Sequence, residues 1–238
     1  MILTKKPSDN KVRRKNRRRG ILKTLFLLIV LGILLIHIKS KNFPIRLVKI
    51  FATYEHVEPP MLQKIISPYL IKDFFQLNVF TIKRSLLEIP WIYDASIKKQ
   101  WPDTMVIHIV EQTATMQWRE NSLINSHGKI FTPPRRSFPA KLPRLTGPEH
   151  RALEIFRVCQ QIILLLDPLD LAVEKLTLTP HHHWELLLNN GTVIYLKEQQ
   201  PIKQIELLIN LYRRITANHQ NPPQTIDLRY SNGLAVKW

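Results

Sequence analysis

The stretch PWIYDASIKKQWPDTMVIHIVE, residues 90–111, decides the fold. Ala95, Ile97, Lys99 and Trp101 alternate with Ser96, Lys98 and Gln100. After Trp101-Pro102-Asp103-Thr104 the alternation resumes, with Met105, Ile107 and Ile109 on one face and Val106, His108 and Val110 on the other. A period of two is that of strands whose two faces meet different surroundings. Pro102 presets the backbone angle of a turn's second residue and has no place inside a central ladder, so the turn belongs there. The stretch predicts a β-hairpin.

Upstream, residues 45–51 alternate as Ile45, Leu47, Phe51 against Arg46, Val48, Ile50, a first strand with both faces partly covered. Glu58-Pro59-Pro60 opens a helix through Met61, Leu62, Ile65, Ile66 and Tyr69-Leu70, since a proline near the first turn gives up no useful donor. A second helix is predicted over residues 79–87, with Val79, Ile82, Leu86 and Leu87 on one face, stopping before Ile89-Pro90. Strand, helix, helix, strand, strand makes a compact α+β layer with two helices on one sheet face.

Downstream the texture becomes short strands. Residues 115–120, 122–125 and 129–131 are separated by Asn121 and His127-Gly128, both turn signals. A loop at residues 132–136 follows, and residues 142–148 lead into a helix over 149–166. Strands are expected at 175–179, 184–188 and 193–196, the last two joined by Asn189-Asn190-Gly191. A helix over 201–218 carries Ile205, Leu208, Ile209, Tyr212 and Ile215 on one face, and residues 225–238 form a closing strand region.

Near the amino terminus, residues 21–38 (ILKTLFLLIVLGILLIHI) hold an unbroken apolar run from 25 to 36. As one helix, residues 20–38 rise about 28 Å, close to the hydrocarbon thickness of a bilayer. A buried core helix of this length would carry a polar stripe, and a cleaved leader would be followed by small residues rather than His37-Ile38-Lys39-Ser40-Lys41-Asn42. Residues 1–23 contain ten Lys or Arg and one acid, +9 of the chain's +17, leaving +8 for the remainder. That asymmetry puts the amino terminus in the cytoplasm and about 200 residues on the far side. With no aromatic platform or folded module beside the basic run, the charge reads as topogenic and lipid-facing rather than as a nucleic-acid site.

Other constellations read as structure. Cys159 lies in an apolar helical pattern with Leu153, Phe156, Ile162 and Ile163, and a single thiol makes no internal disulfide. Consecutive His181-His182-His183 point to alternate faces of a strand and decorate a turn beside Pro180 more readily than they converge on an ion. The acids Glu111, Glu120, Asp167, Asp170, Glu174, Glu185 and Asp227 are scattered, without a nucleophile turn or a zinc signature, so neither catalysis nor a cofactor is expected.

The closing stretch is the best functional candidate. Ile226, Leu228 and Tyr230 alternate with Asp227, Arg229 and Ser231. At a sheet margin such a strand offers unpaired N–H and C=O groups to another chain's strand, with Arg229 and Tyr230 supplying selectivity. The alternative is a strand interior to its sheet with Arg229 merely solvated. Asn232-Gly233 either bends the strand or makes a tight hairpin.

Pro90-Trp91-Ile92, Trp101-Pro102-Asp103 and Ile107-His108-Ile109-Val110-Glu111, behind a basic tail and one apolar run, resemble the FtsQ/DivIB family of bacterial cell-division proteins, Gram-negative type. Residues 44–111 look like that family's polypeptide-transport-associated (POTRA) domain. Trp118 and His127-Gly128-Lys129-Ile130-Phe131 are similar to the start of its β-rich second domain. Arg229-Tyr230-Ser231-Asn232-Gly233 with Ala235-Val236 and Trp238 looks like the segment that receives FtsB, which arrives with FtsL. The resemblance therefore implies partner-binding roles for Arg229, Tyr230, Ser231, Asn232 and Gly233, with Leu234, Val236 and Trp238 as flanking contacts. Many members continue past this Trp; this chain stops there.

The expected class is α+β: a single transmembrane helix, a POTRA domain of order strand-helix-helix-strand-strand, and a β-rich domain with two helices. The expected boundaries are 1–20 for a disordered cytoplasmic tail, 21–38 for the span, 43–112 for the POTRA domain and 113–238 for the β domain. The resemblance implies a non-catalytic scaffold of the inner membrane at the division septum. It docks FtsB–FtsL in the periplasm and influences septal peptidoglycan synthesis, with self-association left open. The alternatives are another POTRA-containing envelope assembly or transport factor, or a periplasmic cell-wall enzyme.

Overall fold

The structure, a computed structural model, describes residues 23–36, 43–230 and 233–238. The expected tail at 1–20 lies outside the described residues, as do both ends of the expected span. Helix α1 covers residues 23–36, and apart from half-covered Gly32 each of its residues is exposed. Its fourteen residues rise about 21 Å. Among the described residues no helix is long and apolar enough to cross a membrane.

The chain forms two compact units. Among the described residues the first comprises 23–36, 43–51, 59–86 and 95–108, the second 52–58, 87–94, 109–230 and 233–238.

The amino-terminal α+β fold runs β1 (Leu47–Phe51), α2 (Pro59–Ile66), α3 (Val79–Leu87) and the hairpin strands β2 (Ile92–Gln100) and β3 (Thr104–Glu111), whose residues nearest the turn belong to the first unit. The sheet order is β1-β3-β2, with β1 parallel to β3. Alternation explains the burial: Met105, Ile107 and Ile109 are buried, while Val110 is exposed on the opposite face. Leu62 and Ile66 of α2 and Ile82 and Leu86 of α3 supply the helical side of this core. Leu87, expected on the same face, is exposed, because a residue directly after Leu86 is rotated about 100° around the helix. The α2 helix ends at Ile66 and tightens into a 3₁₀ turn, Ser67–Tyr69, because Pro68 has no N–H to continue the ladder. The hairpin turns through a cis Trp101-Pro102 peptide.

The second unit is built on one nine-stranded sheet. Its strands are β4 (Ala114–Trp118), β5 (Ser122–Asn125), β6 (Ile130–Phe131), β7 (Arg144–Thr146), β8 (Val173–Leu178), β9 (His183–Leu188), β10 (Val193–Lys197), β11 (Thr225–Asp227) and β12 (Ala235–Lys237). Their spatial order is β12-β11-β10-β9-β8-β7-β4-β5-β6. Helices α4 (Ala152–Leu166) and α5 (Pro201–Thr216) bury Ile155, Phe156, Cys159, Ile162 and Ile205, Leu208, Tyr212 in one core with Leu145, Leu176, Leu186, Ile194 and Ile226. The Cys159 thiol is fully buried there, and burial pushes its pKa up to about 12. The β5–β6 turn is organised by buried Asn125, whose Oδ1 accepts from the N–H groups of His127 and Lys129 while its Nδ2 donates to Gln112.

Two readings need correction. Residues 142–148 are more than a lead-in: β7 lies between the parallel strands β4 and β8. The strand expected at the sheet margin is interior: β11 pairs with β10 on one side and β12 on the other, as the alternative reading had it, and the margin falls instead to β12, which pairs back on β11 antiparallel. The last ladder bond to β10 is made by Leu228 N–H, and the next N–H, that of Arg229, is taken by the Asp227 side chain, a local bond that competes with continued pairing.

Candidate functional site

The far edge of the nine-stranded sheet gathers most of the residues singled out in the sequence. Its foundation is β11, where Ile226 and Leu228 are buried in the core. The ladder to β10 is pinned by Val193 N–H donating to Gln224 O and by Leu228 N–H donating to Tyr195 O, both at 2.9–3.0 Å. Buried Thr192 adds a hydroxyl bond of 2.8 Å to the carbonyl of Pro223. These bonds turn the backbone groups of residues 226 and 228 toward β10, so those of Thr225 and Asp227 face β12.

Thr225 and Asp227 oppose Lys237 and Ala235 in the β11–β12 register. The backbone groups of Ala235 and Lys237 therefore point inward, and the N–H and C=O of Val236 point away from the sheet. Among the described residues β12 has no strand beyond it. Val236 sits opposite Ile226, which turns its half-buried side chain to the helical face, while Ala235 and Lys237 are exposed. The final side chain is held too: the Trp238 and His219 rings stack at a centroid distance of 3.3 Å.

Arg229 is neither free nor merely solvated. Its Nε and Nη2 donate to the Asp227 carboxylate at 3.0 and 2.8 Å, and its guanidinium lies 5.0 Å from the centre of the Tyr195 ring. The bound guanidinium holds the Asp227 carboxyl below its ordinary value, against the opposing effect of burial, and the guanidinium's own pKa is raised in return. Tyr230 projects outward, 61% exposed. With Gly233, Leu228, Lys197, Lys203 and Leu207 it borders a cleft of about 370 Å³ beside the edge strand. The link from β10 to α5 behind this cleft is held at Glu198, which is bound to Arg151 and to His182.

Gly233 carries no left-handed backbone, and a Cβ built there meets nothing within 4 Å. The space above it is open. Leu234 is half-buried against the core and Trp238 is 38% exposed. Ser231 and Asn232 lie outside the described residues. Lys197, Lys203 and Leu207 were not singled out by sequence, because helix reading of 201–218 followed only its inward apolar face. The Asp227–Arg229 pair had a signal available: residues two apart share one face of a strand.

The His181–His183 run is split by a turn. His182 has a left-handed backbone and reaches Glu198, while His183 opens β9 and bonds Thr179 and Glu185. Among the described residues no group of three or more His, Cys, Asp or Glu is arranged to hold a metal ion.

Two family descriptions match the chain: "POTRA domain, FtsQ-type" over residues 43–112 and "Cell division protein FtsQ/DivIB, C-terminal" over residues 114–229. Similar proteins include the "Cell division protein FtsQ" of Coxiella burnetii, 33% identical over 213 residues, covering 90% of this chain and 87% of the relative. The protein of the same name from Shewanella oneidensis is 29% identical over 84% of this chain and 76% of its own length. That from Allochromatium vinosum is 29% identical over 93% of this chain and 90% of its own. A POTRA domain followed by a β-rich domain, matched on both parts and across nearly the full length of such relatives, places the chain in the FtsQ/DivIB family of bacterial cell-division proteins.

Proposed function

We propose that this family member is a bitopic, non-catalytic scaffold of the division machinery whose closing hairpin docks FtsB, and with it FtsL, by strand addition. The observation that carries the reading is the β12 margin, where the outward backbone of Val236 stands beside the open space over Gly233 and the exposed ring of Tyr230. A guest strand aligned with β12 gains main-chain hydrogen bonds from that margin, and the cleft beside it receives a side chain. Tyr230 offers a rigid aromatic face with one polar tip, a residue type favoured in docking patches. Arg229, held by Asp227 with its side chain still partly exposed, adds a fixed positive charge for the partner beside Tyr230.

Helix α1 supports the anchored topology. A helix exposed and apolar on all sides belongs in lipid or in a protein core, and the described residues supply no core for it. The basic residues ahead of it put the amino terminus in the cytoplasm and the chain from residue 43 onward in the periplasm. Through FtsB and FtsL the scaffold would bear on septal peptidoglycan synthesis.

The test is co-purification of the full chain with FtsB–FtsL, comparing wild type with Tyr230→Ala and Gly233→Val. Both positions are exposed, so both variants should keep the wild-type unfolding midpoint while losing partner. Retention of wild-type amounts of partner by both folded variants overturns strand docking at this edge.

A further inference from the structure

The first unit carries exposed apolar side chains gathered around the point where the chain enters it. Phe43 N-terminally opens the described unit, and its carbonyl accepts from Phe74 N–H at 2.9 Å while its ring meets Phe75 edge-on at 6.2 Å. Arg46 N–H donates to Asp103 O at 2.9 Å, tying the entry to the tip of the β2–β3 hairpin. Lys99 Nζ bridges hairpin and loop by donating to the carbonyls of Phe74 and Leu77 at 2.8 and 3.2 Å. Around this knot Ile71 is 88% exposed, Phe75 57% and Trp101 68%; Phe51, Met61 and Phe80 are exposed as well, but on β1, α2 and α3 rather than at the entry.

We infer that Ile71, Phe75 and Trp101 form a membrane-surface contact that seats the first unit on the outer face of the bilayer its helix crosses. This rests on the reading of α1 as a span. Chain length selects the occupant: six residues, 37–42, separate α1 from Phe43, and fully extended they reach at most about 20 Å. The entry knot is thereby held next to the headgroups. The chemistry agrees, since Trp and other aromatic residues favour the water–lipid boundary and exposed Arg46 and Lys72 suit phosphate headgroups. Seating at three side chains would limit how far the unit tilts about its connection.

The test reconstitutes the full chain, one copy per nanodisc, in phosphatidylethanolamine and phosphatidylglycerol brominated near the headgroup end of the acyl chains. Emission from Trp101 is obtained as the difference between wild type and Trp101→Phe. It is expected to be blue-shifted and quenched by bromine, and the quenching is lost in Ile71→Ser/Phe75→Ser, whose fold is checked by circular dichroism. Unquenched Trp101, or quenching unchanged in the folded double variant, overturns the contact and leaves the patch to a protein partner. Alkaline extraction tests the span separately. A chain that stays in the membrane with unquenched Trp101 refutes the contact alone, and a chain that is extracted refutes the span beneath it.

Discussion

A proline placed at Val236 separates docking from folding. In β12 the Val236 N–H points away from β11, whereas the Ala235 N–H points toward Asp227. Proline is tolerated on a sheet margin where its missing N–H faces outward, so Val236→Pro should change unfolding free energy by less than about 1 kcal/mol. For a docked strand it deletes a hydrogen bond worth about 0.5–1.5 kcal/mol net and leaves the guest's carbonyl facing a ring. Affinity for FtsB–FtsL should therefore fall about tenfold or more, the equivalent of roughly 1.4 kcal/mol. Ala235→Pro is the contrast: it removes an inward bond, costs about 1–3 kcal/mol, and loosens β12 from β11. The assay pairs urea unfolding with titration of FtsB–FtsL onto the full chain in detergent. If Val236→Pro binds with wild-type affinity, or destabilises the fold as much as Ala235→Pro, the assignment of outward and inward groups is refuted.

Three further outcomes are expected. Asp227 has a folded pKa held below its ordinary 3.8 by Arg229, so its contribution is present above the unfolded value and lost as pH falls through the folded one. Asp227→Asn should lower stability by about 1 kcal/mol at neutral pH, a modest figure because Arg229 is partly solvent-screened, with the difference from wild type shrinking as pH falls below the ordinary carboxylate value and vanishing only below the depressed folded one. Asn125→Ala strands the Gln112 carboxamide and two turn N–H groups, costing about 2–4 kcal/mol in urea unfolding, whereas an exposed polar turn residue would cost far less. Cys159, buried with its thiol pKa pushed up to about 12, should resist alkylation in the native protein at neutral pH and react at the rate of unfolding in denaturant; rapid native labelling would contradict its placement.

Much of the fold was legible because residues 90–111 declare their period over two full strands, and α3, α4 and α5 declare theirs over at least two turns. What escaped was short or non-local. β7 has three residues, too few to show alternation, and it exists because β4 and β8, distant in sequence, flank it. In the closing region the alternation Ile226, Leu228, Tyr230 runs on past the point where pairing stops. Periodicity reports which side chains face the core, and Leu228 does; it does not report that Asp227 captures the N–H of Arg229. The same alternation puts Tyr230 on the face of Ile226 and Leu228, yet its ring is exposed because the strand has ended before it, and Val236 entered only through the family resemblance. The cleft wall from α5 was not legible, because Lys203 and Leu207 join the edge only through the parallel crossover that brings β11 beside β10.

The most direct measurement is amide hydrogen exchange along β12, in the full chain alone and saturated with FtsB–FtsL. In the free protein Val236 should exchange quickly while Ala235 and Lys237 are protected by β11. On docking, Val236 should slow by about tenfold or more, in line with one newly formed strand hydrogen bond. A saturated complex in which Val236 exchanges as fast as before would show that the partner sits elsewhere.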